Sequence, residues 1–278
     1  MISDKLNESE LPKTIWFLWL QGLETAPLVV QKCYASWIEH NKDWNVVLLA
    51  ADNIKDYVSL PTRQMTQQAF SDVLRINLLA QYGGVWADAT CFCVKPLNLW
   101  INEYTTNGFF AFERPGPDRM ISTWFIASKK NNYITEIYKK AVNAYWDGSP
   151  DMRFSEISKW HSLDKYLRRY STKIWFSKLV SKILKVHPYF WFHYLFEKIY
   201  RADEKVKQMW DATPKISADI PHTLHFAGLF DPISESIKAE IYNKTAPCYK
   251  LTWRYEPSAI KDDTVVGYLL NVDKLDHE

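Results

Sequence analysis

Two apolar runs flanking one amphipathic segment constrain this chain most. "KTIWFLWL" (Lys13 to Leu20), opened by Pro12 and closed by Gly22, is rich in β-branched and aromatic residues, and "WNVVLLA" (Trp44 to Ala50) is a second such run. Neither alternates with polar residues, so each strand is apolar on both faces and belongs in a sheet covered by helices. Between them, from about Leu28 to Glu39, the apolar positions Val29, Val30, Cys33 and Trp37 recur at roughly helical spacing. This β-α-β order predicts an α/β fold with a central, mostly parallel sheet flanked by helices.

A longer helix is expected from after Pro61 to about Tyr82, where Gly83 is a natural stop. An extended piece (Val85 to Ala87) and strands in "CFCVKPL", "GFFAFE" (Gly108 to Glu113) and "STWFIASK" (Ser122 to Lys129) follow, so the sheet belongs to the first half. From Tyr133 the pattern turns helical, with Ile134, Ile137, Tyr138, Ala141 and Tyr145 on one stripe. The expected organisation is an α/β core over residues 1–150, a helical, basic and aromatic-rich lobe over 151–215, and a C-terminal return to the core over 216–278. No period of 20–50 residues suggests a repeat array.

Composition narrows the partners. The 13 Trp, 16 Tyr and 14 Phe favour surfaces that bind bases, sugars or the lipid headgroup zone. Between Lys159 and Arg201, ten basic residues (159, 165, 168, 169, 173, 178, 182, 185, 198, 201) face two acidic ones, Asp164 and Glu197. This excess reads either as solvated helix faces or as docking on an anionic membrane, worth about 1 kcal/mol per basic residue near the lipid. Nucleic acid is not expected, because no recognised binding motif accompanies the charge. Four cysteines (Cys33, Cys91, Cys93, Cys248) lack the spacing of a structural zinc site. The charged N-terminus has no apolar stretch of a secretion signal, so a reduced, cytoplasmic location is the expectation. The most apolar window, "HPYFWFHYLF", is about half the roughly 20 residues of a spanning helix.

The stretch "SDVLRINLLAQYGGVWADAT" (Ser71 to Thr90) carries the chemistry. Asp72 and Arg75 lie three apart and share a helical face, which alone would be an ordinary intrahelical pair worth at most about 1 kcal/mol. Two of only eight glycines then stand side by side, permitting positive φ and close approach by another group. An extended backbone through "VWADAT" places Trp86, Asp88 and Thr90 on one face. A carboxylate and a hydroxyl beside a glycine hinge, beyond a parallel strand, suit a magnesium or manganese ion that also holds phosphate oxygens.

The composite S-D-x-L-R-x-x-x-L-x-x-x-G-G-x-W, followed by D-A-T, resembles the sugar-nucleotide-dependent glycosyltransferases that include the fungal initiating mannosyltransferases and the large glucosylating toxins. It is most similar to bacterial capsular polysaccharide synthesis proteins. "LPKTIWFLW" is similar to that family's opening strand. The resemblance implies a GT-A (Rossmann-like) fold, a nucleotide-sugar donor, most often UDP-linked, a divalent ion (Mn2+ or Mg2+), and transfer with retention of configuration. It implies that Trp19 stacks on the base, Asp72 accepts hydrogen bonds from the sugar, Arg75 steadies sugar and diphosphate, and Trp86 borders the pocket. Asp88 would contact the metal, directly or through water. Thr90 departs from the second aspartate of the toxins, which lowers metal affinity; it either binds a metal-held water or finishes a turn.

"YKLTWRY" (Tyr249 to Tyr255) is similar to the family's donor-closing motif, making Lys250 and Trp253 candidates to neutralise the leaving diphosphate and exclude water; a terminal strand packing Trp253 on the core is the plainer reading. In "PHTLHFAG", His225 is the candidate late metal ligand, although a histidine on an apolar strand is more often a core residue. "YFWFHYLF" resembles a segment lining the sugar and acceptor side, which makes His193 a candidate. The resulting expectation is transfer of a hexose to a bacterial surface glycan or glycolipid by a peripheral enzyme on the inner face of the plasma membrane. Two rivals are a non-catalytic membrane-surface adaptor on a degenerate transferase domain, and a nucleotidyltransferase. The latter needs a glycine-rich phosphate loop after the first strand, and "LQGLETAP" has one glycine.

Overall fold

The computed structural model describes residues 10–60, 65–147, 172–183 and 187–275. Strand β1 (Thr14–Leu18) lies centrally, paired in parallel with β2 (Asn45–Leu49) on one side and β3 (Gly84–Ala87) on the other. Beyond β3 come β6 (Arg119–Ser128) and β5 (Phe109–Gly116), each antiparallel to its inner neighbour, giving the order β2-β1-β3-β6-β5. Four of the five strands therefore run the same way, and only β6 opposes them.

Period-two alternation sorts the strand side chains into two apolar layers. Ile15, Phe17, Val85, Phe110, Phe112 and Phe125 join one layer with Val29, Val30, Cys33 and Trp37 of the Leu28–His40 helix. Trp16, Leu18, Trp86, Phe109, Ala111 and Ile126 face the other, with Val73, Leu74, Leu78 and Leu79 of the Gln67–Tyr82 helix. Each fully buried side chain of this size contributes about 1.5–3 kcal/mol of transfer free energy, so the sheet is held from both sides.

The expected helix before the glycine pair begins at Gln67, where the Thr66 hydroxyl accepts from the Ala69 amide and caps the helix. Gly83 ends it with φ 69°, and Gly84 follows at φ 94°. A Cβ on Gly83 would sit 2.6 Å from the Lys130 amide nitrogen, and one on Gly84 would sit 2.4 Å from the Thr14 carbonyl oxygen. Both glycines are thus fixed by backbone sign, Gly83 also by the backbone around Lys130 and Gly84 by the close seat of β3 against β1.

Two sequence expectations are corrected here. On the Tyr133–Asp147 helix the buried stripe is Ile134, Tyr138, Val142 and Trp146; Ile137, Ala141 and Tyr145 flank it half-buried, because spacing alone leaves the centre of a broad apolar face open. The "PHTLHFAG" segment is not a strand but lies largely on the Asp219–Phe226 helix, capped by the residues that follow.

"CFCVKPL" does not join the main sheet. Its strand β4 (Cys91–Cys93) pairs antiparallel with β7 (Cys248–Lys250), which ties the C-terminal segment to the end of β3. The Trp191–Ala202 helix packs into the second layer, with Phe196 stacked on Phe109 at 5.9 Å and Phe192 on Tyr138 at 4.4 Å. Of the basic run, residues 159, 165, 168, 169 and 185 lie outside the described residues. Arg201 pairs with Glu197, and the Lys198 ammonium sits 4.9 Å over the Phe176 ring. No described helix is long and apolar enough to cross a membrane.

Candidate active site

The site is organised by a buried guanidinium. Arg75, 4% exposed, projects from the middle of the Gln67–Tyr82 helix and is fixed on every side. Its Nε donates to the Ser71 carbonyl (3.3 Å), its Nη2 to the Ser71 hydroxyl (3.0 Å), and its Nη1 to the Thr123 carbonyl on β6. The group lies over the Trp86 ring at 5.0 Å and near Phe192 at 5.8 Å, a cation–π seat for a charge removed from water. Nη2 contacts Asp72 Oδ1 at 3.2 Å and Asp88 Oδ1 at 3.3 Å, so one cation joins two carboxylates.

Asp88 lies just beyond β3, held by its amide donating to the Trp124 carbonyl (2.8 Å). The Cys91 amide donates back to the Asp88 carbonyl (2.8 Å), so the residues after Ala87 form a tight turn rather than the expected extension of the strand. This turn still brings Asp88 and Thr90 together. Trp86 Nε1 donates to Asp88 Oδ1 at 2.9 Å, while Lys250 Nζ donates to Asp88 Oδ2 at 3.3 Å and to Thr90 Oγ1 at 2.5 Å. Register fixes that lysine: Lys250 pairs with Cys91 across β4–β7, and the Leu251 amide donates to the Thr90 carbonyl at 2.7 Å.

Burial acts on both carboxylates, with opposite outcomes. For Asp72, desolvation outweighs Arg75, and the Asp88 charge adds to it, so its carboxyl is pushed up to about 7. For Asp88, burial raises the value, but Arg75, Lys250 and the Trp86 N–H together hold it below the ordinary carboxylate range. His193 is driven well below its usual value by burial, then by Arg119 and Arg75, and is a neutral imidazole. Its Nε2 meets the Thr123 hydroxyl at 3.2 Å, and its buried Nδ1 has no partner among the described residues.

These groups line one cleft of about 540 Å³, together with Leu18, Trp19, Gln67, Gln68, Tyr189, Phe190, Trp253 and Arg254. The structure thus brings together Trp19, Asp72, Arg75, Trp86, Asp88, Thr90, His193, Lys250 and Trp253 from five separate stretches of chain. Trp19 and Trp253 meet edge to face at 5.8 Å, and Trp253 is 45% exposed, so it is not the core residue a terminal strand would make of it. Trp86 reaches the cleft but is 1% exposed; its larger part is to seat Arg75 and orient Asp88. His225 does not line the cleft; burial and the neighbouring His222 lower its imidazole from the usual value. Sequence reasoning missed Thr123, Gln67, Gln68 and Phe190, since a threonine inside a buried strand and polar residues in a first helical turn carry no signal of their own. A larger depression of about 1150 Å³ beside Arg114, Arg119 and Arg201 reaches Thr172, next to the residues not described, and contains none of the expected site residues.

The donor set does not fit the expected divalent ion. Of Asp88, Thr90 and His225, the first two share the Lys250 ammonium and the third lies outside the cleft. A cation held between the only carboxylate and the hydroxyl repels a second cation there. Among the described residues no cluster of three or more His, Cys, Asp or Glu groups could hold a metal ion.

Comparison with known proteins places this geometry in a family context. The family described as capsular polysaccharide synthesis protein matches residues 2–153 and 158–269, nearly the whole chain. The O-glycosyltransferase braB of Annulohypoxylon truncatum is 28% identical over 169 residues, 51% of this chain and 39% of that protein. The glycosyltransferase afumC of Aspergillus fumigatus is 26% identical over 161 residues, 49% of this chain and 41% of that protein. The chain therefore matches about two fifths of the length of these curated relatives. Among solved structures, the PaToxG glycosyltransferase aligns over 75% of this chain and 80% of its own at 17% identity, with a TM-score of 0.37.

Proposed function

The chain belongs to the capsular polysaccharide synthesis protein family, and from that premise we propose that it is a glycosyltransferase whose cleft binds a nucleotide-sugar donor. One observation carries the reading: two cations, Arg75 and Lys250, converge on Asp88 in a cleft whose exposed rim holds the Trp19–Trp253 pair. Departure of a nucleoside diphosphate from an anomeric carbon builds negative charge on the diphosphate, and fixed cations in a partly dry cleft stabilise that charge where it develops. An aromatic pair suits a base, which has an apolar face whatever its identity. The fungal relatives are named as glycosyltransferases, which supports this class, and a uridine diphosphate hexose is the donor proposed by family analogy.

In this reading Asp72 and His193 meet the sugar. A carboxyl near its midpoint at neutral pH can accept from or donate to hydroxyls, and the neutral His193 imidazole lines the same cleft. The glycosidic C–O bond to the diphosphate breaks with its electron pair going to the phosphate oxygen. The acceptor hydroxyl oxygen bonds the anomeric carbon, and its proton passes to that same phosphate oxygen. Asp72 and Asp88 are the only carboxylates lining the cleft among the described residues, and both are bound to Arg75, which makes either a poor covalent nucleophile. Retention is proposed by family analogy, and with neither carboxylate free to act as a nucleophile the course proposed for it is same-face attack. A bacterial surface glycan or glycolipid is the proposed acceptor, reached from the cytoplasmic side of the membrane, with the basic segment around residues 159–201 as the contact.

The test is a panel of nucleotide sugars incubated with the purified protein, reading release of nucleoside diphosphate by slow donor hydrolysis. One donor is expected to be consumed, with loss of the signal in Arg75→Ala. Release from no member of the panel, with or without crude glycolipid acceptor, would sink the reading.

A further inference from the structure

The position that the resemblance gives to a divalent ion is held by a side chain of the protein itself. Lys250 Nζ lies 2.5 Å from Thr90 Oγ1 and 3.3 Å from Asp88 Oδ2, the pair expected to hold the metal. The third expected ligand, His225, lies outside the cleft. This is a built arrangement: three register pairs of β4–β7 and the Leu251 amide on the Thr90 carbonyl hold the lysine backbone, and only 17% of its side chain is exposed. The charge also suits a monocation: where a second aspartate would supply one more negative charge for a dication, Thr90 supplies none, and the single Lys250 charge is met by the Asp88 carboxylate.

Resting on the reading of the cleft as a nucleotide-sugar site, we propose that the Lys250 ammonium takes the place of the divalent ion, so that the donor diphosphate is bound and released without metal. Asp88 then serves as the anchor that aims Lys250 and Arg75, and Thr90 as the neutral second anchor that a lysine needs and a dication does not. A diphosphate entering the cleft draws on both cations, with Arg75 fixed by Thr123 and Ser71 and Lys250 turning from Thr90 toward phosphate oxygens.

The experiment measures binding of UDP and GDP to the full chain by tryptophan fluorescence and by calorimetry, in EDTA and in Mn2+, alongside the electron-spin resonance signal of free Mn2+. The expected result is an affinity for one nucleotide that is the same within about twofold in both conditions, with the free Mn2+ signal undiminished by the protein. Lys250→Met, which keeps the stem and removes the charge, is expected to weaken that nucleotide by about tenfold or more, while the uncharged nucleoside binds as before. Thr90→Ala, with the ammonium retained, should weaken it less. Binding that needs Mn2+ overturns the metal-free proposal and leaves the donor-site reading standing. Unchanged nucleotide affinity in a folded Lys250→Met likewise overturns it. Binding of neither nucleotide under either condition overturns both.

Discussion

The two walls of the cleft meet at the same guanidinium and end in opposite states. Asp72 on the helix wall and Asp88 on the strand-turn wall lie 3.2 and 3.3 Å from Arg75 Nη2, yet burial pushes the first up to about 7 while the second stays below the ordinary carboxylate range. Distance to the shared cation does not separate them. What does is the second set of donors: Asp88 also receives Lys250 and the Trp86 N–H, whereas Asp72 has Arg75 and the repulsion of Asp88. The strand-turn wall is therefore a fixed charge array suited to a diphosphate, and the helix wall, with the neutral His193 close by, is a proton-adaptable surface suited to hydroxyls.

Removing the shared cation should break both walls at once and give the largest effect. Arg75→Ala leaves two buried carboxylates without it, and we expect a loss of about 3–5 kcal/mol in urea unfolding together with loss of donor turnover. Arg75→Lys keeps the charge but not the fork over Trp86 and the Thr123 carbonyl, and should recover part of the stability with little turnover. Equal stability of Arg75→Ala and the parent would show that the guanidinium does not organise the site.

Next comes the seat of the strand-turn wall. In Gly84→Ala the new Cβ meets the Thr14 carbonyl at 2.4 Å on a backbone of φ 94°, so a destabilisation of about 2–4 kcal/mol is expected in the same assay. Gly22, at φ 80° with open space around its Cβ position, is the control: its alanine variant should lose less.

The helix wall is sharpened by pH. A carboxyl whose folded value lies above its unfolded one holds its proton more tightly when folded, so its contribution is present at low pH and is lost as pH rises from about 4 through about 7. In Asp72→Asn that slope should vanish, and the variant should gain on the parent by on the order of 2 kcal/mol between pH 4 and pH 8, read from denaturation midpoints. Parallel stability curves for the two proteins would place the proton elsewhere.

The smallest effect belongs to the rim. Trp253, 45% exposed, should change stability by no more than about 0.5 kcal/mol on replacement by alanine, yet weaken nucleotide binding about three- to tenfold in a fluorescence titration.

Much of this was legible in the sequence. The two-sided apolar strands gave the parallel sheet because a strand buried on both faces leaves few other solutions, and the glycine pair marked a sharp exit because only glycine tolerates that backbone. Nine of the ten expected site residues, taken from four similar segments, line one cleft. What could not be read was long-range register. The Lys250 contact with Thr90 spans 160 residues and depends on β4 leaving the main sheet to pair with β7, which no local pattern announces. Thr123 is silent for a related reason: its carbonyl meets Arg75 and its hydroxyl meets His193 across 48 and 70 residues of chain. His225 was misread because a short apolar segment with alternating polar residues looks alike as strand or helix.

The most direct measurement is an experimental structure of the protein with the nucleoside diphosphate selected by the binding assay. The account predicts diphosphate oxygens within hydrogen-bonding distance of both Arg75 and Lys250, and the base against Trp19 and Trp253. A diphosphate seated away from this pair of cations would contradict it.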